Sequence, residues 1–501
     1  MAETVMDIDT SSIADYRKFL AIRRLPVYSF SGHSARFPEE YGSIVDGSEK
    51  PLRKLSAWIA PKFMFDYQRD ITRIAIEKQK FAAFIECGLG KTLILLEFAQ
   101  HAFKVSGGAV LVISPLMVVG QTLSEAKRFY PDLEITQVRS SGLPEWLENG
   151  TGIGITNFEA LESDLRPGRL TALIIDESSM LKSHYGKWGT SIINLGRGCE
   201  WKLALTGTPA PNDRIEYANH AVFLGACKTV NEFLARYFVN RGQTQERWVL
   251  KPHALEPFYR DLSHWCIFLS NPATYGWKDN SENIPPIHVH IHRVGMTRQQ
   301  HKIVQHTTGG LFAGDLGGIG TRSKMGQIAK GKHNGERIET LKPEFIRELV
   351  GQWPDESTII WCLYNDEQDR MTETFPDAAS ITGDTPLDER MELIAKFKSG
   401  EIKVLISKPK ILGFGLNLQI ATRQVFSGLQ DSYESYWQAV KRSNRVGSKL
   451  PLNVHIPITD IEEPMVQSVL SKAKRVQSDT EDQERIFKDH SLEMGANHAI
   501  G

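Results

Sequence analysis

Residues 82–99 read AAFIECGLGKTLILLEFA. A short apolar run ends at Ile85, glycines follow at 88 and 90, and an apolar stretch of helical length resumes after Lys91. This is the pattern of a strand, a tight turn and a helix. Gly88, Leu89, Gly90, Lys91 and Thr92 therefore stand where backbone N–H groups can close around an anion and a helix N-terminus adds its positive end. Lys91 is expected to reach the β- and γ-phosphates of a nucleotide, and the Thr92 hydroxyl to coordinate Mg2+. The stricter string GxxxxGK[ST] is not met, because Ile85 occupies the place of its first glycine. The strand before the turn and the helix after it carry the reading instead.

Working outward, the same rhythm repeats. FAAFIE, AVLVISP, GIGITN, ALIIDE and KLALTGTP are apolar runs that end in polar or glycine-bearing turns. Strands buried on both faces of a parallel sheet have this appearance. TALIIDESSMLK ends its strand on Asp176 and Glu177, about 85 residues after the cradle. Alone, two adjacent acids are equally a helix N-terminal turn. With the cradle upstream, a carboxylate ending a strand beside the phosphate-loop strand is expected to hold Mg2+ through water, and its neighbour to polarise an attacking water.

Between about 226 and 335 the rhythm stops. NEFLARYF and ALEPFYRDLSHW favour helices, and TTGGLFAGDLGGIGTRSKMGQIAKGKHNG favours a mobile loop. HVHIH alternates as a strand would, with its histidines on one face and no further ligand nearby in sequence. STIIWCLY, AASITG, KVLISK, QVFSGL and NVHIPI then restore the parallel-strand pattern. The expected fold class is α/β. The expected parts are an N-terminal extension (1–60), a first lobe (61–225), a mainly helical insertion and lobe connection (226–335), and a second lobe with a C-terminal tail (336–501).

Composition sets the outer limits. A chain of 501 residues, 41% hydrophobic, can bury cores for two or three domains. Its 59 basic and 60 acidic residues leave a net charge of −1, so any basic surface must be local. The five cysteines are scattered without a CxxC pair and read as reduced, mostly buried thiols of a cytoplasmic protein. MAETVMDIDTSSIADYRKF carries acids where a signal peptide needs basic charge, and no 18-residue apolar stretch occurs that would span a membrane.

GLGKT, DESS and LTGTPAPN, in that order, resemble the ATPase core of superfamily 2 helicases and in particular the SWI/SNF-like translocases. The resemblance runs from about 61 to 458. It implies two RecA-like lobes with the insertion between them, and a further set of site residues. In FMFDYQRD, Gln68 would read the adenine. Ser114 and Pro115 of SPLMVVGQ, Thr156 and Asn157 of GITNFEAL, and Asn417 of GFGLNL would contact the DNA backbone. Gly415 in that last tract would lie at the nucleotide, close to Gly413. Thr206, Gly207 and Thr208 would couple the ATP site to DNA movement.

YWQAVKRSNRVG (436–447) spaces Gln438, Arg442 and Arg445 by four and three, one face of a predicted helix. By itself that face is either solvated or reaching for an anion. The resemblance makes it the final motif, with Gln438 beside the nucleotide and Arg442 and Arg445 meeting charge on the γ-phosphoryl group, Arg445 as the principal finger.

Two departures from the resembling group stand out. Ser178 and Ser179 follow the acidic pair where Ala or Gly and then His are usual, and CIFL follows FYRDL where basic residues are usual. The activity implied is a DNA-dependent ATPase, using ATP and Mg2+, that moves along duplex DNA with little sequence preference. Two other readings stay open. One is the motor subunit of a restriction or repair assembly with a partner such as a nuclease. The other is an ATP-gated DNA clamp without turnover, against which the intact Glu177 speaks.

Overall fold

Successive side chains leave a strand on opposite faces, so a sheet covered on both sides needs apolar residues at every position. The computed structural model describes residues 3–9, 11–47, 58–161, 165–181, 187–242, 248–278, 284–308, 319–412, 416–429, 432–445 and 447–493. In it, Phe81, Ala83 and Ile85 of one strand enter one hydrophobic core while Ala82 and Phe84 enter a second. Val110 and Val112 part from Leu111 and Ile113 in the same way, and Ala172 and Ile174 from Leu173 and Ile175.

The chain divides into two units, 1–279 with 478–501, and 280–477. In the first, β1 (Glu3–Asp7), β2 (Ser29–Ser31) and β3 (Ser34–Pro38) form an antiparallel sheet in the order β1-β3-β2. The helix Ile13–Arg24 accompanies it, and the two share a core of Ile8, Ile22, Leu25, Ala35, Phe37 and Val45. The N-terminal stretch, read from sequence as an extension lying on a larger domain, has a sheet and core of its own.

The larger sheet contains β4 (Lys80–Ile85), β5 (Ala109–Ser114), β6 (Ile135–Gln137), β7 (Ile153–Asn157), β8 (Leu170–Asp176) and β9 (Trp201–Thr206). A hairpin of β10 (Phe238–Asn240) and β11 (Trp248–Leu250) follows, and β12 (Cys266–Leu269) returns to the sheet. Its order is β12-β4-β9-β8-β5-β7-β6, with every pairing parallel. One sequence expectation changes here: β8, which ends in Asp176, does not lie beside β4. The later strand β9 is inserted between them.

In the second unit, β13 (Ile287–Arg293) is an edge strand and β14 (Lys332–His333) pairs with β15 (Glu336–Arg337). β16 (Thr358–Trp361), β17 (Ala379–Ser380), β18 (Val404–Ser407), β19 (Arg423–Phe426) and β20 (Leu452–Ile458) complete the main sheet. Its order is β13-β20-β19-β16-β18-β17, again wholly parallel. Both units thus have the α/β class expected, and all the apolar runs singled out above are strands. The stretch 226–335 is divided between the units, because β12 extends the first sheet and β13 the second. Within it, residues 309–318 of the glycine-rich tract lie outside the described residues, and the tract continues as the helix Ile319–Ala329 and the β14–β15 hairpin where the sequence favoured a loop.

All five cysteines are buried, and none forms a disulfide among the described residues. No helix among the described residues is long and apolar enough to cross a membrane.

Candidate active site

In a parallel sheet the loops that leave the carboxyl ends of the strands gather on one edge. β4, β9 and β8 are neighbours, so the phosphate-loop candidate, TGTP and DESS emerge side by side. From β4 the chain turns through Gly88 and Gly90, both at positive φ (93° and 72°), into the helix Lys91–Ser106. A Cβ at Gly90 would stand 2.3 Å from Gln68 Nε2. Glycine is therefore required there by backbone conformation and by space.

Gln68 is buried, and both ends of its amide are used. Its Oε1 accepts from Phe65 N at 2.9 Å, and Nε2 donates to Leu89 O at 3.1 Å and Gly90 O at 3.2 Å. Tyr67 adds a bond from its hydroxyl to Leu89 O at 3.0 Å. The pair clamps the loop from behind, a task the sequence reading assigned to neither. Lys91 Nζ donates to Ile85 O at 2.9 Å, which folds the ammonium over the loop.

Asp176 accepts from Ser114 Oγ at 3.1 Å and from Glu177 N at 3.1 Å. Burial raises its pKa to about 6, the neighbouring Glu177 charge pushes the same way, and Lys91 pulls against both. A carboxyl raised in this manner gains from a nearby cation. With the Thr92 hydroxyl on the adjoining helix, this hard oxygen set suits Mg2+.

Glu177 lies in the left-handed region at φ 57°. Its Oε1 accepts from Thr206 Oγ1 at 2.6 Å and from Ser179 Oγ at 3.1 Å. Thr206 Oγ1 also accepts from Thr208 N at 3.1 Å. Gly207 backs onto the phosphate loop, where a Cβ would meet Cys87 Sγ at 3.2 Å and Ile85 O at 3.3 Å. Because β9 separates β4 from β8, TGTP ties the acidic pair to the loop through direct contacts.

Sequence reasoning did not find the histidine that touches the first serine after the acidic pair. His220, from the helix Tyr217–Leu224, is fully buried with Nε2 3.0 Å from Ser178 Oγ and Nδ1 3.4 Å from Glu216 O. A carbonyl only accepts, so Nδ1 carries the proton and Nε2 accepts from Ser178. Burial lowers the His220 pKa to about 4, which keeps the ring neutral. No local motif marks this residue, since 42 positions separate it from Ser178.

The residues proposed for DNA divide. Ser114 is buried against Asp176, and Thr156 is buried with its hydroxyl donating to Val138 O at 2.8 Å. Neither side chain faces outward. Pro115 and Asn157 are partly exposed, and Asn157 Oδ1 caps the following turn through Ala160 N at 3.1 Å. In the second unit, Asn417 is exposed and bonds Gln419. Gly413 and Gly415 lie outside the described residues.

The expected helix through YWQAVKRSNRVG is shorter than its periodicity implied. It spans Tyr433–Val440 and is capped at Lys441, so Arg442 and Arg445 follow it. Polar side chains draw the chain away: Asn444 Nδ2 donates to Pro285 O at 2.7 Å, and Ser443 Oγ accepts from Gln424 Nε2 at 2.8 Å. Ser and Asn compete with helical bonding in this way. Gln438 and Arg442 are buried, and Arg442 Nε donates to Gln438 O at 3.0 Å. Arg445 is more exposed; its guanidinium donates to Leu416 O at 3.5 Å and its backbone N–H to Ser448 Oγ at 3.1 Å.

At the carboxyl ends of β16, β18 and β19, a concavity lined by Lys408, Lys410, Leu429, Ser432 and Tyr436 brings two further cations to this unit. Two of the β13 histidines meet His455: His290 and Trp353 both stack on it, at 4.8 Å and 4.7 Å, and His292 Nε2 lies 3.0 Å from its Nδ1.

Comparison with known proteins places these features in a wider group. Residues 83–342 match the SNF2-related domain, and 341–447 match the helicase conserved C-terminal domain. The chain is 24% identical over 444 residues to YwqA of Bacillus subtilis, a match covering 79% of this chain and 45% of that protein. It is 22% identical over 433 residues to protein p41 of Acyrthosiphon pisum secondary endosymbiont phage 1, covering 78% and 91%. A solved structure titled as the Sulfolobus solfataricus SWI2/SNF2 ATPase core in complex with dsDNA aligns over 88% of this chain and 98% of its own, at 19% identity and a TM-score of 0.38. The chain spans less than half the length of YwqA.

Proposed function

The chain belongs to the SNF2-related, helicase-like ATPases, and from that premise we propose that it is a DNA-dependent ATPase that translocates along duplex DNA. The observation that carries the reading is the direct bond from Thr206 of TGTP to Glu177, at 2.6 Å, with Gly207 against the phosphate loop. A hydrolytic carboxylate tied to the motif that follows the next strand is the arrangement needed for hydrolysis and movement to inform each other.

In the proposed reaction Lys91 and the loop N–H groups hold the β- and γ-phosphates of ATP. Thr92 and Asp176 would hold Mg2+, which when bound would neutralise phosphate charge. Glu177 orients the attacking water and accepts its proton as oxygen attacks the γ-phosphorus and the bond to ADP breaks. Arg442 and Arg445 are the candidates for the cation that meets the developing charge, Arg445 first because it is the less buried. The phosphate contacts of Pro115, Asn157, Asn417 and the Lys408–Lys410 concavity would be indifferent to base sequence.

The test is steady-state phosphate release with and without duplex DNA. Wild type is expected to be stimulated strongly by duplex, and Lys91→Ala to be inactive. Glu177→Gln should lose about a hundredfold or more while still binding ATP, and Arg445→Ala about a thousandfold. Hydrolysis indifferent to DNA would sink the translocase reading, and a fully active Arg445→Ala the finger assignment. Triplex displacement compared with strand unwinding then separates movement along duplex from opening it.

A further inference from the structure

The N-terminal module carries a surface for which the motor reading has no use. Along the helix Ile13–Arg24, Tyr16, Phe19, Leu20 and Arg23 recur at spacings of three and four and share one stripe. Phe19 lies 5.2 Å from Phe30 of the edge strand β2. Tyr16 stacks beside Phe19 at 6.3 Å, with ring planes 20° apart, and Tyr28 meets Phe30 edge-on at 5.6 Å. The four rings form one row across the joint between helix and sheet.

Stripes of this kind usually exist to fill a core, and here Phe19 packs against the core of the module while the other three rings stand open. Tyr16, Tyr28 and Phe30 are 58%, 37% and 36% exposed, while Ile22, Leu25, Ala35 and Phe37 close the interior. The module is anchored to the rest of its unit through other residues, with Tyr41 bonded to His264 and Glu40 paired to Lys78.

Cations accompany the rings. The Arg23 guanidinium lies 5.9 Å from the Phe19 ring centre. Arg17, Arg23 and Arg24 are all exposed, and none takes part in an ion pair among the described residues. Lys18 alone on this helix is paired, with Asp15 at 3.4 Å.

We propose that this row is a binding site for unpaired nucleotides. Open aromatic faces stack on bases of any identity, and arginines beside them meet the phosphates and add cation–π attraction. A duplex keeps its base faces inside its own stack, so the ligand is a single strand or the unpaired nucleotides flanking a duplex. The site would direct the chain to junctions, a choice that duplex phosphate contacts cannot make. It does not rest on the translocase reading, and the two fail separately.

The test uses the full chain without ATP and a fluorescein-labelled oligo-dT strand, with a blunt duplex as the second arm. Tyr16→Ala combined with Phe30→Ala should weaken oligo-dT binding by about tenfold or more, since each stacked base contributes comparably elsewhere. Blunt-duplex affinity and duplex-stimulated hydrolysis should stay within about twofold of wild type. Arg23→Glu should weaken oligo-dT and flatten its salt dependence. Tyr16→Trp should keep the affinity and show indole quenching on binding, which guards against a folding artefact. Unchanged oligo-dT affinity in the double variant, or no quenching in Tyr16→Trp, overturns the proposal. A change in self-association with oligo-dT binding intact would instead assign the row to a protein interface and overturn it equally.

Discussion

Glu177 is held by its neighbours more than by its own preference. A non-glycine residue at φ 57° stays there only because surrounding contacts impose it, and Thr206 and Ser179 both grip its carboxylate. Thr206→Val keeps the shape and removes the bond. We expect kcat to fall about tenfold to a hundredfold with little change in KM for ATP, read from paired kinetics, because the bond positions the base and does not bind the nucleotide. His220 acts one residue further on. Its pKa falls from 6.5 in the unfolded chain to about 4 in the folded one. The unfolded state therefore binds the extra proton between those values, so stability is complete above about pH 6.5 and is lost as pH falls toward 4. The loss reaches roughly 3 kcal/mol at most. Thermal melts at pH 7.5 and 5 should show a smaller acid shift in His220→Asn than in wild type. An equal shift would remove His220 from the account.

At the scale of elements, the second unit is knitted by a buried ion trio. Glu462 lies between Lys330 and Lys342, each at 2.6 Å, with all three side chains almost wholly enclosed. Lys342 also donates to Ser427 O and Pro457 O, which ties the helix Lys342–Val350 to the ends of β19 and β20. The two ammonium groups overcome burial and hold the Glu462 pKa down to about 2. Removing its charge would leave two enclosed cations facing each other. Glu462→Gln should cost the second unit about 3–5 kcal/mol, measured by denaturant unfolding. Gly428→Ala should act in the same direction, since its Cβ would stand 2.4 Å from Lys330 Nζ. In wild type the contribution of Glu462 is present above about pH 4.5 and lost as pH falls toward 2, the usual sense for a depressed carboxylate. Neither lysine was conspicuous in the sequence. Each lies at a helix boundary, and 120 residues or more separate both from the acid that joins them.

At the scale of the whole molecule, the last helix, Glu463–Glu493, begins with the second unit, and its residues from 478 onward belong to the first. Gln483 donates to Tyr217 OH at 3.1 Å, Ile486 joins the core of the first unit, and Phe487 packs edge-on to Tyr275 at 5.8 Å. Ending the chain after Gln477 should cost the first unit several kcal/mol for the two apolar side chains alone. Calorimetry should show its transition lowered by on the order of 10 °C. No change would mean that these contacts are dispensable. The chain after residue 458 stood outside the resemblance, so its packing could not be read in advance. What the sequence determined by itself was local: buried strands from unbroken apolar runs, the glycine turn before Lys91, and the carboxylates ending a strand. Each of these depends on neighbours within a few residues. Tertiary structure alone decided the insertion of β9 between β4 and β8, the delivery of His220 to Ser178, the early end of the helix at Val440 and the exposure of the Tyr16–Phe30 row. Sheet order, burial and helix termination depend on contacts between residues far apart in the chain, and periodicity has no access to those.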